Sequence, residues 1–267
     1  MVAIMRRQSA AITIVPLLFV TLFPVLWTFL GSFKTLKDIV APAPELFFAP
    51  TLANYVAVLS TPAVQLGLIN SVIVVGCSVG IGIVLGVPAA HALARHVFRL
   101  KQDMLFYVLS LRFMPPVAIA IPFIALYREL GINDTRFSLI LTYCLTTVST
   151  IIWLGVPVFE QVPRDIEDAA SLDGYSDVQV FWKVSLPVAL PSLIGAVVFT
   201  FVIIWNELLI ALSLTSQNFT LPVVAASFTT LGMEVPWGII DASAILLAIP
   251  PFLLIWLIMR FVNRFFH

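Results

Sequence analysis

The sequence predicts an all-α membrane protein with six transmembrane helices and both termini on the cytoplasmic side. Three observations carry that prediction. The 267 residues are 61% hydrophobic and only 10% charged, whereas soluble domains carry about 25% charged residues. The apolar residues gather into six runs, each near the roughly 20 helical residues that cross about 30 Å of hydrocarbon. The basic residues divide unevenly between the two sides those runs define.

The first run covers about 10–30, between Arg7 and Lys34, and a polar, proline-containing stretch with Lys34, Lys37, Asp38 and Glu45 follows. Arg6 and Arg7 ahead of an apolar run suit a signal peptide, but the run is long and no clear small-x-small cleavage site follows, so it is expected to stay as a helix. The second run, about 68–94, ends at Arg95, His96, Arg99 and Lys101. The third, about 104–127, contains Arg112, and the fourth covers about 137–159. The fifth and sixth, about 190–212 and 238–259, follow a charged loop at 160–189. With the N-terminus inside, nine basic residues lie inside, among them Arg6, Arg7, Arg95, Arg99, Arg164 and Lys183, and four lie outside (Lys34, Lys37, Arg128, Arg136). Arg112 is the remaining one, and the excess inside sets the orientation. Pro115, Pro116, Pro122, Pro157, Pro191, Pro250 and Pro251 fall within runs, where proline bends a helix and neighbours satisfy the freed carbonyls. Gly76, Gly80, Gly82 and Gly86 in the second run permit close helix approach.

The loop at 160–189 is the most informative segment. Pro163 suits a helix start, and Asp165, Glu167 and Asp168 near that end complement its dipole. Ile166, Ala169 and Ala170 share a narrow face, and Gly174 stands where a left-handed C-terminal cap is wanted. Ser176 and Gln179 have capping-box spacing, with Tyr175 and Val180 at the staple positions, so a second helix is expected that stops at Pro187. A hairpin lying on lipid is the competing account. Six acids against Arg164 and Lys183 leave the loop at −4, which anionic lipid would repel, and a protein partner fits better.

The run EDAASLDGY at 167–175, followed by Leu186-Pro187, resembles the EAA loop of type-1 ABC importer permeases. The segments PVLWTFLGSFKT from Pro24, LINSVIV from Leu68, RFMPP from Arg112, WNELLIAL from Trp205 and TLPV from Thr220 are similar to the carbohydrate-uptake branch, as in the smaller membrane subunit of maltose transporters. The likeness runs from about Pro24 to Arg264. It implies a first helix and external segment at 1–65, a type-1 transmembrane domain at 66–260, and a short cytoplasmic tail at 261–267. It also implies a location in the bacterial inner membrane and import of a sugar or sugar-like solute, of oligosaccharide, polyol or glycerol-phosphate type. The loop residues Glu167, Asp168, Ala169, Ala170, Asp173 and Gly174 would form the coupling helix that docks on an ATPase. The partners implied are a second homologous permease, a dimer of ATPase subunits that bind ATP and Mg, and an extracytoplasmic solute-binding protein. Asp168 stands where the family usually has glutamate, Tyr175 where it usually has alanine, and the sequence stops at Phe265-Phe266-His267 where many relatives carry a glycine-containing tail.

Charges in lipid are costly and face cavities or partners. Arg112 lies about 13 Å in from Asp103 at 1.5 Å per residue, and is expected to pack helices or face a cavity, unless a bent span leaves it near headgroups. Asn206 and Glu207, toward the outer end of the fifth run, line the solute path or merely cap that helix region. Tyr143 and Asn70 are weaker candidates, since one phenol or amide commonly bonds a neighbouring helix. The outer loop with Ser216, Gln217 and Asn218 aligns with the family's segment that contacts the solute-binding protein; a solvated connector is the plainer account.

Cys77 and Cys144 lie in apolar runs, without disulfide or metal spacing, and read as small packed hydrophobes. His91, His96 and His267 are scattered, and no phosphate-binding glycine loop occurs. No catalytic set, metal site, cofactor or nucleic-acid partner is therefore expected in this chain. A gradient-driven transporter would usually show internal repeats and paired intramembrane carboxylates. An intramembrane enzyme would need a reactive pair at depth, where only Arg112 is counted as charged.

Overall fold

The computed structural model describes residues 2–97, 99–230 and 235–265. Among them the regular structure is all helical, with no strand. In order the helices are α1 (Val2–Ser32), α2 (Leu36–Ile39), α3 (Ala53–Ser60), α4 (Pro62–Arg95), α5 (Lys101–Phe113), α6 (Pro116–Glu129) and α7 (Arg136–Glu160). There follow α8 (Arg164–Leu172), α9 (Asp177–Val180), a π-helical turn Phe181–Ser185, α10 (Leu186–Trp205), α11 (Leu209–Leu214), α12 (Leu221–Ser227) and α13 (Trp237–Phe265). The expectations for Arg6, Arg7 and the 261–267 tail concern side chains outside the described set, and Phe266 and His267 lie outside the described residues altogether.

Four described helical stretches are long and apolar enough to cross a membrane: Pro62–Arg95, Arg136–Glu160, Asp177–Trp205 and Trp237–Arg260. Lys101–Phe113 and Pro116–Glu129 make a fifth only as a pair bent by 91°, while Pro16–Ser32 within α1 is a shorter apolar stretch. The third run is therefore not one helix. Its break follows from Pro115-Pro116, because each residue before a proline is driven out of the α region. Met114 (φ −65°, ψ 130°) and Pro115 (φ −58°, ψ 134°) are both extended. By contrast Pro122, Pro157, Pro191, Pro250 and Pro251 sit inside continuous helices.

The fifth run is corrected at both ends. The helix opening at Asp177 does not stop at Pro187 but continues through the π turn into α10. A π turn at Phe181–Ser185 widens the helix where the proline ring would otherwise meet the carbonyl of Lys183, and so lets the helix run past Pro187. At the other end the run breaks at 206–208 before α11.

The chain forms two compact units, Met1–Gln65 with Val224–Ile249, and Leu66–Val223 with Pro250–His267. In the first, the Asn54 amide donates to the carbonyls of Ser32 (3.0 Å) and Lys34 (2.8 Å), closing the turn after α1. Asp241, one turn into α13, packs against Gly31, where a Cβ would collide with its carboxylate. Arg112 is thus not the only charged residue placed within an apolar span.

In the second unit α7 is central, burying Leu139, Tyr143, Ile151 and Phe159 among others. Gly82 and Gly86 bring α4 against Thr147 and Ile151, and Gly155 brings α7 against Ala90. Gly76 and Gly80 meet nothing within 4 Å, so only half of the expected glycine stripe serves this contact. Across the seam the Thr147 hydroxyl donates to the Ser78 carbonyl at 2.9 Å; such bonds contribute about 0.6 kcal/mol each between membrane helices. A core of Val87, Leu93, Ile151, Phe159, Phe181 and Leu193 then joins α4, α7, the π turn and α10.

Candidate functional site

The helix α8 is built by local chemistry at one end and long-range chemistry on one face. Pro163, extended at φ −59° and ψ 130°, immediately precedes it, and Asp165 and Glu167 lie in its first turn. Its end is a Schellman motif: Gly174 takes φ +90°, Tyr175 N–H donates to the Ala170 carbonyl and Gly174 N–H to that of Ser171, both at 3.1 Å. The expected capping box of Ser176 and Gln179 is present and opens α9. Tyr175 lies half exposed, its ring 4.8 Å from the Lys183 ammonium.

Glu167 does not face outward with its neighbours. Its carboxylate pairs with Arg95 from the end of α4: Nη2 donates to Oε1 at 2.9 Å, and Nε lies 2.7 Å from Oε2 as an ion-pair contact without hydrogen-bond geometry. The Ser185 hydroxyl donates to it at 2.6 Å, and His91 Nε2 lies 3.8 Å away. Arg95 also donates to the Val162 carbonyl at 2.7 Å. The pair is 9% and 12% exposed, close enough to burial for charge-assisted bonds to keep most of their strength. Below it the His91 ring packs between Phe159 and Phe181 at 5.1 and 4.9 Å. Ala170 is buried against the same side, whereas Asp165, Asp168, Ala169, Ser171, Asp173 and Gly174 are exposed and Leu172 is 90% exposed. Ile166 is itself 38% exposed, so the face expected from Ile166, Ala169 and Ala170 is split between inside and outside. Two faces result: an anchored one built on Glu167 and Ala170, and a free acidic one.

At the other end of the unit, Glu207 turns out to cap a helix. Its carboxylate accepts from the backbone N–H groups of Ile210 (3.0 and 3.1 Å) and Ala211 (3.2 Å) at the start of α11, and the Tyr143 hydroxyl donates to it at 3.0 Å. Asn206 ends α10, with its amide donating to the Val202 carbonyl at 2.8 Å. Tyr143, Asn206 and Glu207 are thereby brought together where the fifth run breaks. Arg112 is apart from them: its guanidinium lies over Trp153 (4.3 Å) and Phe199 (5.5 Å), two rings that line a recess of about 330 Å³.

The loop 215–220 is held on both sides. The Asp134 carboxylate accepts from the backbone N–H groups of Ser216, Gln217 and Asn218 and from the Ser216 hydroxyl, at 2.7 to 3.2 Å. The Asn218 amide donates back to the Asp134 carbonyl at 2.6 Å. Burial pushes the Asp134 carboxyl up, but the donors from Ser216, Asn218 and Gln217 outweigh it and hold the group below the usual carboxylate range. Asn70 donates to the Phe219 carbonyl at 2.8 Å while accepting from Arg136 at 2.7 Å.

The residues that sequence reasoning did not reach are Arg95, His91, Ser185, Asp134 and Asp241. His91 and Arg95 share a helix face at i, i+4 spacing just where the second run ends, a signal for an anchoring site that was available. Among the described residues no group of three His, Cys, Asp or Glu side chains is placed to hold a metal ion.

Likenesses to known proteins bear on this arrangement. The chain is 35% identical over 235 residues to the trehalose transport system permease protein SugB of Mycobacterium tuberculosis, covering 86% of this chain and 84% of that one. It is 33% identical over 237 residues to the sulfoquinovosyl glycerol transport system permease protein SmoH of Agrobacterium fabrum, covering 88% and 83%. Its fold matches a chain in the crystal structure of a bacterial ABC transporter involved in the import of the acidic polysaccharide alginate, with TM-score 0.77, 20% identity and coverage of 98% and 97%. The family model described as binding-protein-dependent transport system inner membrane component matches residues 82–267. This protein therefore belongs to the family of inner membrane components of binding-protein-dependent transport systems.

Proposed function

We propose that the chain is one of two homologous permease subunits of an importer that carries a sugar or sugar-like solute across the bacterial inner membrane, powered by two separate ATPase subunits. On this reading six spans cross the membrane, α1 is the first, the bent α5–α6 pair counts as one, and both termini are cytoplasmic. α8 is then the coupling helix, and its exposed face of Asp165, Asp168, Ser171 and Leu172 enters a cleft on an ATPase. The opposite end, with Ser216 to Asn218, faces an extracytoplasmic solute-binding protein. Sugar as the solute class rests on the relatives named for trehalose and sulfoquinovosyl glycerol transport.

The observation that carries the proposal is the two-sided character of α8. A nine-residue helix is too short to persist alone in water, yet this one is tied by Glu167 to Arg95 and Ser185 and leaves Leu172 90% exposed. A bare leucine beside acids on a rigidly held helix suits insertion into a protein cleft better than exposure to water or anionic lipid. Motion is transmitted because the same anchor ties α8 to α4 and to the turn leading into α10. The test is site-directed cross-linking from Leu172→Cys in a background lacking Cys77 and Cys144. The proposal expects a link to the ATPase subunit that changes yield with ATP, and a link to lipid alone would overturn it.

A further inference from the structure

Asp134 is the one non-glycine described residue with positive φ, +56°. Aspartate tolerates this left-handed conformation better than most residues, but it is still uncommon and costs something unless the surroundings require it. Here they do. Immediately before it α6 ends in a Schellman motif, with Gly131 at φ +68° and Ile132 N–H donating to the Tyr127 carbonyl at 3.0 Å. Immediately after it Thr135 caps α7 by accepting from Ser138 N–H at 3.2 Å. Asp134 therefore stands on a short, doubly capped connector whose backbone has little freedom.

From that base its side chain gathers three successive backbone N–H groups, those of Ser216, Gln217 and Asn218, plus the Ser216 hydroxyl at 2.7 Å. Successive N–H groups converging on one carboxylate form an anion-binding concavity of the kind that backbone nests make. Here an acid of the same chain, 82 to 84 residues away, fills it. The other end of the loop is fixed independently, by Asn70 on the Phe219 carbonyl and by the Ser71 hydroxyl, which accepts from Leu221 N–H at 2.8 Å. Every bond from Gln217 to Asp134 comes from its backbone, and its side chain stands exposed at the tip.

We propose that Asp134 is a positioning residue for docking of the solute-binding protein: it pre-shapes the 215–220 loop, with Ser216 as part of the clamp, so that the exposed Gln217 side chain is offered at a fixed polar tip. The inference rests on the importer reading above, and it adds the residue that sets the loop's shape. A preformed loop binds without the ordering cost that a flexible one carries. Its loss therefore weakens docking and leaves the maximal rate of a fully docked complex in place.

The experiment uses the assembled permease–ATPase complex in lipid nanodiscs, with the cognate solute-binding protein titrated against ATPase rate and hydrogen exchange read at residues 215–220. For Asp134→Ala the expected results are at least tenfold faster exchange of the 216–218 amides, about a tenfold higher half-saturating concentration of binding protein, and a retained maximal rate. Ser216→Ala, which removes one bond of the set, is expected to raise half-saturation about threefold alone and to add nothing in the Asp134→Ala background. Unchanged exchange, or faster exchange with unchanged half-saturation, overturns the proposal. So does an additive double variant; Asp134→Asn, whose amide oxygen can still accept from the three backbone N–H groups, is expected to fall between wild type and Asp134→Ala in both exchange and half-saturation. A wild-type complex whose ATPase ignores the binding protein overturns the importer reading instead.

Discussion

Removing the Glu167 carboxylate should loosen α8 locally without disturbing the helices it rests on. Glu167→Ala deletes an ion pair with one hydrogen bond to Arg95 and an acceptor for Ser185. Breaking a fully buried pair costs about 3–5 kcal/mol. The pair here is 9% and 12% exposed and Arg95 keeps its bond to Val162, so about 2–3 kcal/mol is the expected loss. Little else holds α8, because its start has no side-chain cap bond and Ala170 is its one buried residue. Exchange of α8 amides by local opening should therefore accelerate about 30- to 150-fold, at tenfold per 1.4 kcal/mol, while α7 amides keep their protection. Arg95→Ala should do the same, and the double variant should show a coupling energy of about 2 kcal/mol. Additivity within about 0.5 kcal/mol, or unchanged α8 exchange in either single variant, would refute the anchor.

Gly174→Val should cost about 1–3 kcal/mol, because φ +90° excludes a β-branched residue although open space surrounds the position; ATPase co-purification should fall while the spans still insert, and full transport with normal co-purification would contradict this. Asp168→Glu should keep most transport in liposomes and Asp168→Lys should lose it, since Asp168 is on the exposed acidic face; equal loss would count against docking by that face. Glu207→Gln should weaken the cap on α11 by about 1 kcal/mol and change the solute dependence of ATPase stimulation in an assembled complex; normal solute dependence would reduce Glu207 to its capping role.

What the sequence made legible was what is encoded within a few residues. The Ser176–Gln179 capping box and the Gly174 cap are closed by partners three to five positions away, so spacing alone identifies them. The anchor and the loop clamp were not legible, because Arg95 reaches Glu167 across 72 residues, Asp134 reaches Ser216 across 82 and Asn70 reaches Phe219 across 149. Those pairings depend on helix register, which periodicity does not fix. Between these extremes lie the prolines. Pro115-Pro116 announced a disturbance but not its 91° size. Pro187 read as a stop, because the π turn that carries the helix past it depends on the surrounding packing, including Ser185 held by Glu167. Asp241, inside the sixth run, went uncounted, and its partner Gly31 lies 210 residues away, where no local spacing points to it.

The central claim is that this chain, paired with a second permease, moves a sugar-like solute only when ATPases act through α8 and a solute-binding protein delivers the cargo. Its most direct test is uptake of labelled trehalose and a panel of related sugars by liposomes containing the purified complex, with binding protein and ATP each supplied or withheld, in wild-type and Glu167→Ala forms. The account predicts uptake of at least one sugar that requires both ATP and binding protein, with transport lost in the variant. Uptake that proceeds without ATP under an ion gradient, or that is indifferent to the binding protein, would contradict it.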